Sequence, residues 1–339
     1  MDQSAFASLL EPALQRRQAL LERLHEEGTD CCRLFHGIAE GAPGLTVDRY
    51  GSLVLLQTFR ESLSVDELAA AEAALRARLG FPFAFAYNHR GKAAAESFDR
   101  WHRPKPEALA EVECREAGLR FLIRARHQGI DPWLFLDLRP GRRLLRQEAQ
   151  GLSVLNLFAY TCSAGVCAAA GGACEVWNVD FASSSLEVGR RNALLNGVPA
   201  ARWRSVEEDC LPVMRQLAGL PAGGRRGRTP RAAKLEPRAF DLVFLDPPAW
   251  SRGPFGAVDT AADYPSLFKP AVLAARPQGG RVIATNHVAA VEREAWLETL
   301  RRCAAKAGRP LRGLRTLEPE GDFPSFDGRP PLKIAVCEV

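Results

Sequence analysis

The chain has 339 residues, of which 47% are apolar, and carries a net charge of +5. This composition can bury a large core, which excludes an intrinsically disordered protein, and the length predicts two or more domains. No apolar run approaches the roughly 18 residues that span a membrane, and acidic side chains near the N-terminus argue against a secretion signal. We therefore expect a cytoplasmic protein with no membrane partner.

The nine cysteines include no C-x-x-C pair, so no metal site is expected. Four of them fall in apolar segments and are predicted to be buried thiols in a reducing compartment. These four are Cys162, Cys167, Cys174 and Cys210.

The first predicted element is an amphipathic helix within residues 1–34. Its apolar positions recur at helical spacing between charged residues over residues 5–28. We expect this stripe to pack on the next domain, and a homodimer contact is the alternative.

Residues 35–105 are predicted to form a small α/β domain. A hairpin turns at Gly51, between strands over 44–50 and 53–58. Ser64 and Glu67 have the spacing of a capping box, which begins a helix that ends near Gly80. A strand over 81–87 and a polar loop over 88–92 follow, before a linker at 104–106. In this loop Arg90 and Lys92 either contact RNA phosphate or remain solvated.

Residues 106–339 are predicted to form the larger domain. A hairpin over 111–126 precedes a helix that begins at Pro140. Residues 153–180 then read as a β-α-β unit, whose second strand ends at Asp180. A carboxylate at that place can bind the two ribose hydroxyls of an adenosine cofactor. Because the turn after the first strand is not G-x-G-x-x-G, a cofactor without a pyrophosphate is favoured, namely S-adenosylmethionine. An ordinary strand-end carboxylate is the alternative.

A basic insertion is predicted at residues 219–238. It contains six cations and one acid, so it carries as much net charge as the whole chain. The segment is rich in glycine, proline and arginine and has no periodicity, which predicts a disordered loop. It either contacts RNA phosphate or has no function.

A second motif follows a buried strand over 240–245. Asp246, Pro247 and Pro248 form a rigid corner, because two prolines fix φ and remove two donors. Asp246 and the neighbouring carbonyl groups can bind the edge of a base, and Trp250 can stack on its face. A simple strand-terminating turn is the alternative. A helix over 264–275 and strands over 281–285, 311–317 and 332–339 complete the domain, the last two strands as an antiparallel pair.

Several segments resemble the bacterial ribosomal large subunit methyltransferases I and K. They are residues 134–139, 156–161, 169–172, 192–197 and 246–248. The resemblance implies a Rossmann-like class I methyltransferase domain with a seven-stranded, mostly parallel sheet and an antiparallel last strand, preceded by a small α/β domain. It also implies the cofactor S-adenosylmethionine and a substrate in 23S ribosomal RNA, free or in a ribosomal particle. Only about 34 residues precede the shared text, so the N-terminal RNA-binding module of methyltransferase I is expected to be absent.

The resemblance assigns residues to the two halves of the site. The residues expected to bind the cofactor are Phe135, Asp137, Arg139, Asn156, Phe158, Tyr160, Thr161, Asp180, Phe181, Asp209 and Asp246. Those expected at the reacting base are Asp246, Pro247, Pro248, Trp250 and Asn286. Arg139 is assigned to the methionine carboxylate and Asp209 to the adenine amino group. A mutual pair of Asp137 and Arg139 is the alternative.

The absence of a cysteine limits which atom of a base can be methylated. Methylation of cytosine at carbon 5 needs a cysteine thiolate, and no cysteine stands in the motif around Asn286 or at Asp246. Guanine N7 has an in-plane lone pair and needs no such help, so it is favoured over an exocyclic amine and over cytosine.

Cys162 stands where relatives have glycine. A positive φ at this residue would strain the turn and weaken cofactor binding. An inert RNA-binding or ribosome assembly factor is therefore the alternative of another class, and a dinucleotide oxidoreductase is a more distant one.

Overall fold

The computed structural model describes residues 3–91, 106–125, 131–222, 233–253 and 255–339. The predictions for Lys92, for the linker before residue 106 and for segment 127–130 lie outside these residues. So do four arginines of the insertion, namely Arg225, Arg226, Arg228 and Arg231. The chain divides into two compact units, Met1–Leu136 with Glu320–Gly328, and Asp137–Pro319 with Arg329–Val339.

The first unit contains a four-stranded sheet. Its elements are α1 (Gln3–Glu26), β1 (Cys31–His36), β2 (Leu45–Tyr50), β3 (Leu53–Thr58), α2 (Val65–Arg78), β4 (Ala84–His89), α3 (Pro106–Leu109), β5 (Val112–Glu116) and β6 (Leu119–Ile123). The sheet order is β1-β2-β3-β4, and β5 pairs with β6 in a separate two-stranded sheet. Apolar side chains of α1, α2 and the sheet share one core, which is why α1 belongs to this unit and is not separated from it at residue 34.

Local signals account for most of this unit. Ser64 and Glu67 form both hydrogen bonds of the predicted capping box. The predicted strand over 81–87 is shifted, because β4 pairs in parallel with β3 from Ala84 to His89. Asn88 is therefore in a strand, where its Nδ2 donates to the Ala125 carbonyl, and is not in the loop that the sequence predicts. The loop Glu320–Gly328 adds Asp322, whose carboxylate accepts from the Arg33 amide.

The second unit is built on a seven-stranded sheet. Its elements are α4 (Arg139–Glu148), β7 (Ser153–Leu157), α5 (Ser163–Ala170), β8 (Glu175–Asp180), α6 (Ser183–Leu195), β9 (Trp203–Glu207), α7 (Cys210–Leu217), β10 (Leu242–Leu245), β11 (Trp250–Gly253), β12 (Gly256–Asp259), α8 (Tyr264–Ala274), β13 (Arg281–Asn286), α9 (Arg293–Lys306), β14 (Gly313–Leu317) and β15 (Lys333–Glu338).

The sheet order is β14-β15-β13-β10-β7-β8-β9. Strands β7, β8, β9, β10 and β13 are parallel, and β15 runs antiparallel to β13 and β14. The α/β fold with a mostly parallel sheet and an antiparallel last strand is thus confirmed. Its central strands are buried on both faces, as parallel strands covered by helices are.

Two local features of this unit were not predicted. Trp250 begins a hairpin of β11 and β12 directly after the rigid corner. Cys174 is exposed, whereas Cys162, Cys167 and Cys210 are buried as expected. Within the described ranges, no helix is both long and apolar enough to cross a membrane.

Candidate functional site

The strand register places the predicted motifs in one row. Leu245 of β10 lies opposite Leu157 of β7, which lies opposite Val179 of β8. The next residue of each strand is therefore at the same level, namely Asp246, Phe158 and Asp180. Because neighbouring strands lie about 4.8 Å apart, two strand spacings of roughly 10 Å separate Asp246 from Asp180. Both carboxylates stand at the carboxyl edge of the sheet, where ligands bind in open α/β folds.

The turn after β7 has an unusual backbone. Phe158, Tyr160 and Cys162 have φ values of 58°, 48° and 58°, which is the left-handed region that favours glycine. The φ of Cys162 is thus positive, the case considered from the sequence. Because this residue is not glycine, its backbone is expected to be strained. Gly189 of α6 accommodates it, because a Cβ added there would lie 2.3 Å from Cys162 Sγ.

Asp180 holds this turn to the next strand. Its Oδ2 accepts from the Tyr160 amide (2.8 Å) and its Oδ1 from the Ala182 amide (2.9 Å). The side chain is 9% exposed. Burial raises the pKa of Asp180, and the backbone hydrogen bonds act in the opposite direction. Phe181 beside it is 67% exposed, so an apolar ring borders the carboxylate.

Two predicted cofactor residues have structural partners beneath the turn. Asn156 Nδ2 donates to Asn178 Oδ1 (2.9 Å), and both side chains are buried. The carbonyl of Thr161 accepts from Asn192 Nδ2. Gly165 lets α5 approach this pair, because a Cβ there would lie 2.0 Å from Asn178 Oδ1. The buried amides hold the turn in place.

Asp209 lies two residues beyond the end of β9, at the N-cap of α7. Its Oδ1 accepts from the Leu211 amide (2.8 Å). Burial raises the pKa of this carboxyl, against the hydrogen bond from Leu211. A Cβ added at Gly253 of β11 would lie 2.5 Å from Asp209 Oδ2, so the hairpin closes on Asp209.

Asp246 has partners that the sequence reasoning missed. Its Oδ1 accepts from Thr285 Oγ1 (2.5 Å) and contacts His287 Nε2 (2.8 Å). Burial lowers the pKa of His287, but the charge and hydrogen bond of Asp246 outweigh it, and the pKa is raised above its ordinary value. An imidazolium there donates to Asp246 and fixes its orientation. The pairing of β10 with β13 could have identified Thr285 as a partner, because it lies at the same level as Asp246.

The remaining residues of the corner differ in exposure. Asn286 is fully buried; its Nδ2 donates to the Thr260 carbonyl and its Oδ1 accepts from the Val288 amide. Pro247 is buried, Pro248 is exposed, and Trp250 is 62% exposed. Of these residues, Trp250 and Pro248 offer surface to a substrate, whereas Asn286 supports the loop that leads into α8.

The segment before α4 is divided between the units. Phe135 belongs to the first unit, and Asp137 begins the second. Asp137 acts electrostatically on His287, and its charge raises the pKa of this imidazole as that of Asp246 does. Arg139 is fully buried at the start of α4.

The cysteines near the row are not thiolate nucleophiles. Burial raises the pKa values of Cys162 and Cys210 well above their ordinary range, and the Cys210 sulfur accepts from the Phe158 amide. No group of three or more potential metal ligands occurs among the described residues.

The chain is similar in sequence to two ribosomal RNA methyltransferases. The chain is 32% identical over 282 residues to the ribosomal RNA large subunit methyltransferase K/L of Allochromatium vinosum, covering 80% of this chain and 35% of that protein. It is 30% identical over 324 residues to the ribosomal RNA large subunit methyltransferase of Deinococcus radiodurans, covering 93% and 74%. The chain thus spans about a third of the length of the K/L relatives.

A solved methyltransferase structure in complex with SAH has the same fold, with a TM-score of 0.77 at 22% identity, covering 100% of this chain and 82% of the other. The model of the S-adenosylmethionine-dependent methyltransferase family matches residues 32–337. Since that match covers most of the chain, the protein belongs to the S-adenosylmethionine-dependent methyltransferase family.

Proposed function

We propose that the chain methylates a base of 23S ribosomal RNA, with guanine N7 as the target atom. The observation that carries the proposal is the level row of Asp180, Phe158 and Asp246 on three adjacent strands. It places a carboxylate suited to an adenosine beside a corner suited to a flat base. The names of the similar proteins support ribosomal RNA as the substrate.

The residues present fit the cofactor of the family. Asp180 accepts from the Tyr160 and Ala182 amides, and the Phe181 amide also acts on it. Because two carboxylate oxygens have about four lone-pair sites, a site remains that can accept from a ribose hydroxyl. We infer that Asp209 accepts from the adenine amino group and that Phe181 covers the ring. We assign Tyr160 and Phe158, in the turn after β7, to the methionine portion. S-Adenosylmethionine supplies an activated methyl group at this edge.

The corner after β10 fits a base. Only Oδ1 of Asp246 is engaged among the described residues, which leaves Oδ2 to accept from a ring or amino N–H. The exposed ring of Trp250 can stack on a base that has left its helix. Alignment of the nucleophile with the methyl group is the main catalytic requirement, because the transfer needs no proton on the leaving group.

The side chains near the corner favour guanine N7 as the methylated atom. Cysteine thiols near the row are held neutral by burial, which disfavours the covalent route to carbon 5 of cytosine. A lone pair in the ring plane needs positioning only. An exocyclic amine is the second candidate, because Asp246 can accept its N–H.

Cofactor binding is tested by calorimetry with the purified protein. Asp180→Ala is expected to weaken S-adenosylmethionine binding by about 10- to 100-fold, since hydrogen bonds to a charged group are worth about 1.5–3 kcal/mol. Glu207→Ala is the matched control, because this exposed carboxylate lies opposite Asp180 on β9. Asp180→Asn, which keeps the volume, separates lost binding from lost folding. Absence of binding to the native protein would support the inert scaffold.

The modified atom is identified by mass spectrometry of nucleosides from 23S ribosomal RNA of a deletion strain. Loss of one 7-methylguanosine, restored by the native gene and not by Asp246→Ala, is the expected result. Loss of 5-methylcytidine, or of an N-methylated amine, would replace guanine N7 with that target. An unchanged pattern would contradict the proposed activity on this RNA.

A further inference from the structure

A cleft between α8 and α9 carries positive charge without a counter-ion among the described residues. It encloses about 460 Å³, and Lys269 from α8 faces Arg302 and Lys306 from α9 across it. All three cations are exposed, and none makes an ion pair with a described residue. Arg302 and Lys306 are four residues apart on one helix face, where like charges destabilise a helix.

Asp263 is close to the cleft but does not line it. It caps α8, where its Oδ1 accepts from the Ser266 amide (3.3 Å), and it acts electrostatically on Cys303, as Lys269 and Lys306 do with the opposite sign. Among the described residues, no acidic side chain lines the cleft itself. An anion bound there would therefore gain attraction from three cations and would relieve their mutual repulsion.

The residues at the floor of the cleft indicate whether its ligand is a phosphate or a base. Tyr264 and Trp296 lie there, but they are only 3% and 2% exposed and pack edge-on against each other. Their faces are not available for stacking. The charged groups of the lining are all cationic, and the other exposed lining residues, Ala261, Ala262 and Pro265, offer no aromatic face. The cleft is therefore suited to the sugar-phosphate backbone and not to a stacked nucleobase.

The cleft is joined to the substrate corner. Thr260 lines the cleft, and both its amide and its hydroxyl donate to the Ala249 carbonyl (3.1 Å each). Trp250, the next residue, lies directly opposite Asp259 in the hairpin. Since opposed residues of a hairpin are about 5 Å apart, the stacking candidate and the cleft wall are close neighbours.

We propose that the cleft between α8 and α9 binds the phosphates of the single-stranded RNA that flanks the target nucleotide. This inference rests on the proposed function, because it takes the strand that enters the corner at Trp250 to continue past Thr260. The cleft positions the RNA backbone, while the corner binds the base.

The test uses the full chain and a short fluorescein-labelled single-stranded RNA of mixed sequence, with affinity measured by anisotropy over a range of salt. The variant is Lys269→Gln/Arg302→Gln/Lys306→Gln. Because each phosphate contact on a single strand contributes about 0.7 to the slope of log affinity against log salt, the slope is expected to fall by about two. The control, Arg202→Gln/Arg301→Gln/Arg312→Gln, removes three exposed cations outside the cleft and is expected to leave most of the slope.

Three measurements make the result decisive. Equal slopes for the triple variant and the native protein would overturn the proposal, as would an equal loss in the control. Competition by poly-glutamate that the triple variant loses while it still binds RNA would assign the cleft to an acidic protein instead. Calorimetry with S-adenosylmethionine on the triple variant is expected to be unchanged. A native protein that fails to bind the cofactor refutes the proposed function but leaves the RNA slopes interpretable.

Discussion

At the scale of single residues, the site depends on side chains that hold one another. Asp246 keeps its orientation through Thr285 and His287, and Asp180 keeps the turn after β7 closed through two amides. Each carboxylate thus has a structural partner and a remaining lone pair for a ligand. Positioning of this kind reduces the ordering that a substrate must otherwise impose.

The pair of Asp246 and His287 predicts a pH-dependent stability. The groups acting on His287 are Asp246, Asp137 and Lys333, and the net effect raises its pKa in the folded state. A raised pKa contributes stability that is present below the ordinary value near 6.5 and is lost as the pH rises through the folded value. The difference in unfolding free energy between native protein and His287→Gln, measured in urea from pH 6 to pH 9, is therefore expected to shrink with rising pH.

The glutamine in the His287→Gln variant would retain a donor toward Asp246 but would not titrate, which makes it the appropriate comparison. His89 lies in the other unit, so His89→Gln serves as the control for a general effect of losing an imidazole. A stability difference that is constant would show that folding does not shift the pKa of His287, and one that grows with pH would show that folding lowers it.

At the scale of elements, α6 and the turn after β7 are fitted to each other. Cys162 occupies a position where only glycine is free of strain, and Gly189 leaves the space for its sulfur. The thiol is fully buried against neighbours that include Ala159 and Leu186. Helix α6 thus supports the turn after β7.

This fit predicts strong coupling between the two positions. Gly189→Ala is expected to destabilise the protein by about 1–3 kcal/mol, the usual range for overpacking. In a Cys162→Gly background the sulfur is gone and the cost is expected to fall, with a coupling energy of about 1 kcal/mol or more. Urea denaturation of the four proteins in the cycle measures it. Additive effects would contradict the fit, because the cost of Gly189→Ala would then not depend on the Cys162 side chain.

At the scale of the whole molecule, two units with separate cores predict separate responses to the cofactor. The row of proposed site residues lies in the second unit. S-Adenosylmethionine at about 100 times its dissociation constant is expected to stabilise that unit by about 2.7 kcal/mol. Hydrogen exchange followed by mass spectrometry should show slower exchange in β7, β8 and β10, with little change in β1–β3. Equal protection of both units would contradict a site confined to the second.

Much of the second unit could be predicted because short sequence patterns mark its strands and turns. Apolar runs end at Asp180 and Asp246, and glycine or proline marks the turns. Helix α9 was not predicted, although Trp296, Leu300 and Ala304 recur at helical spacing and are buried. Their spacing in the sequence indicates this helix. The β11–β12 hairpin has no such signal, because Trp250–Gly253 does not alternate apolar and polar residues.

The partners of Asp246 could not be predicted from local patterns. Asp246 and His287 are separated by the β11–β12 hairpin, α8 and β13, and the pairing of β10 with β13 brings them together. The first compact unit extends past residue 105 to Leu136 for a similar reason. The β5–β6 hairpin joins the first unit through long-range hydrogen bonds between Asp30 and Arg115.

The loop Glu320–Gly328 has a practical consequence. It leaves the second unit after β14, supplies Asp322 to the Arg33 amide and Phe323 to the Arg33 guanidinium, and returns to begin β15. A fragment cut at residue 136 would therefore lack two partners of Arg33. A chimera that joins the first unit to another protein would therefore have to include Glu320–Gly328 as well as Met1–Leu136. The first unit cannot be exchanged as one continuous segment.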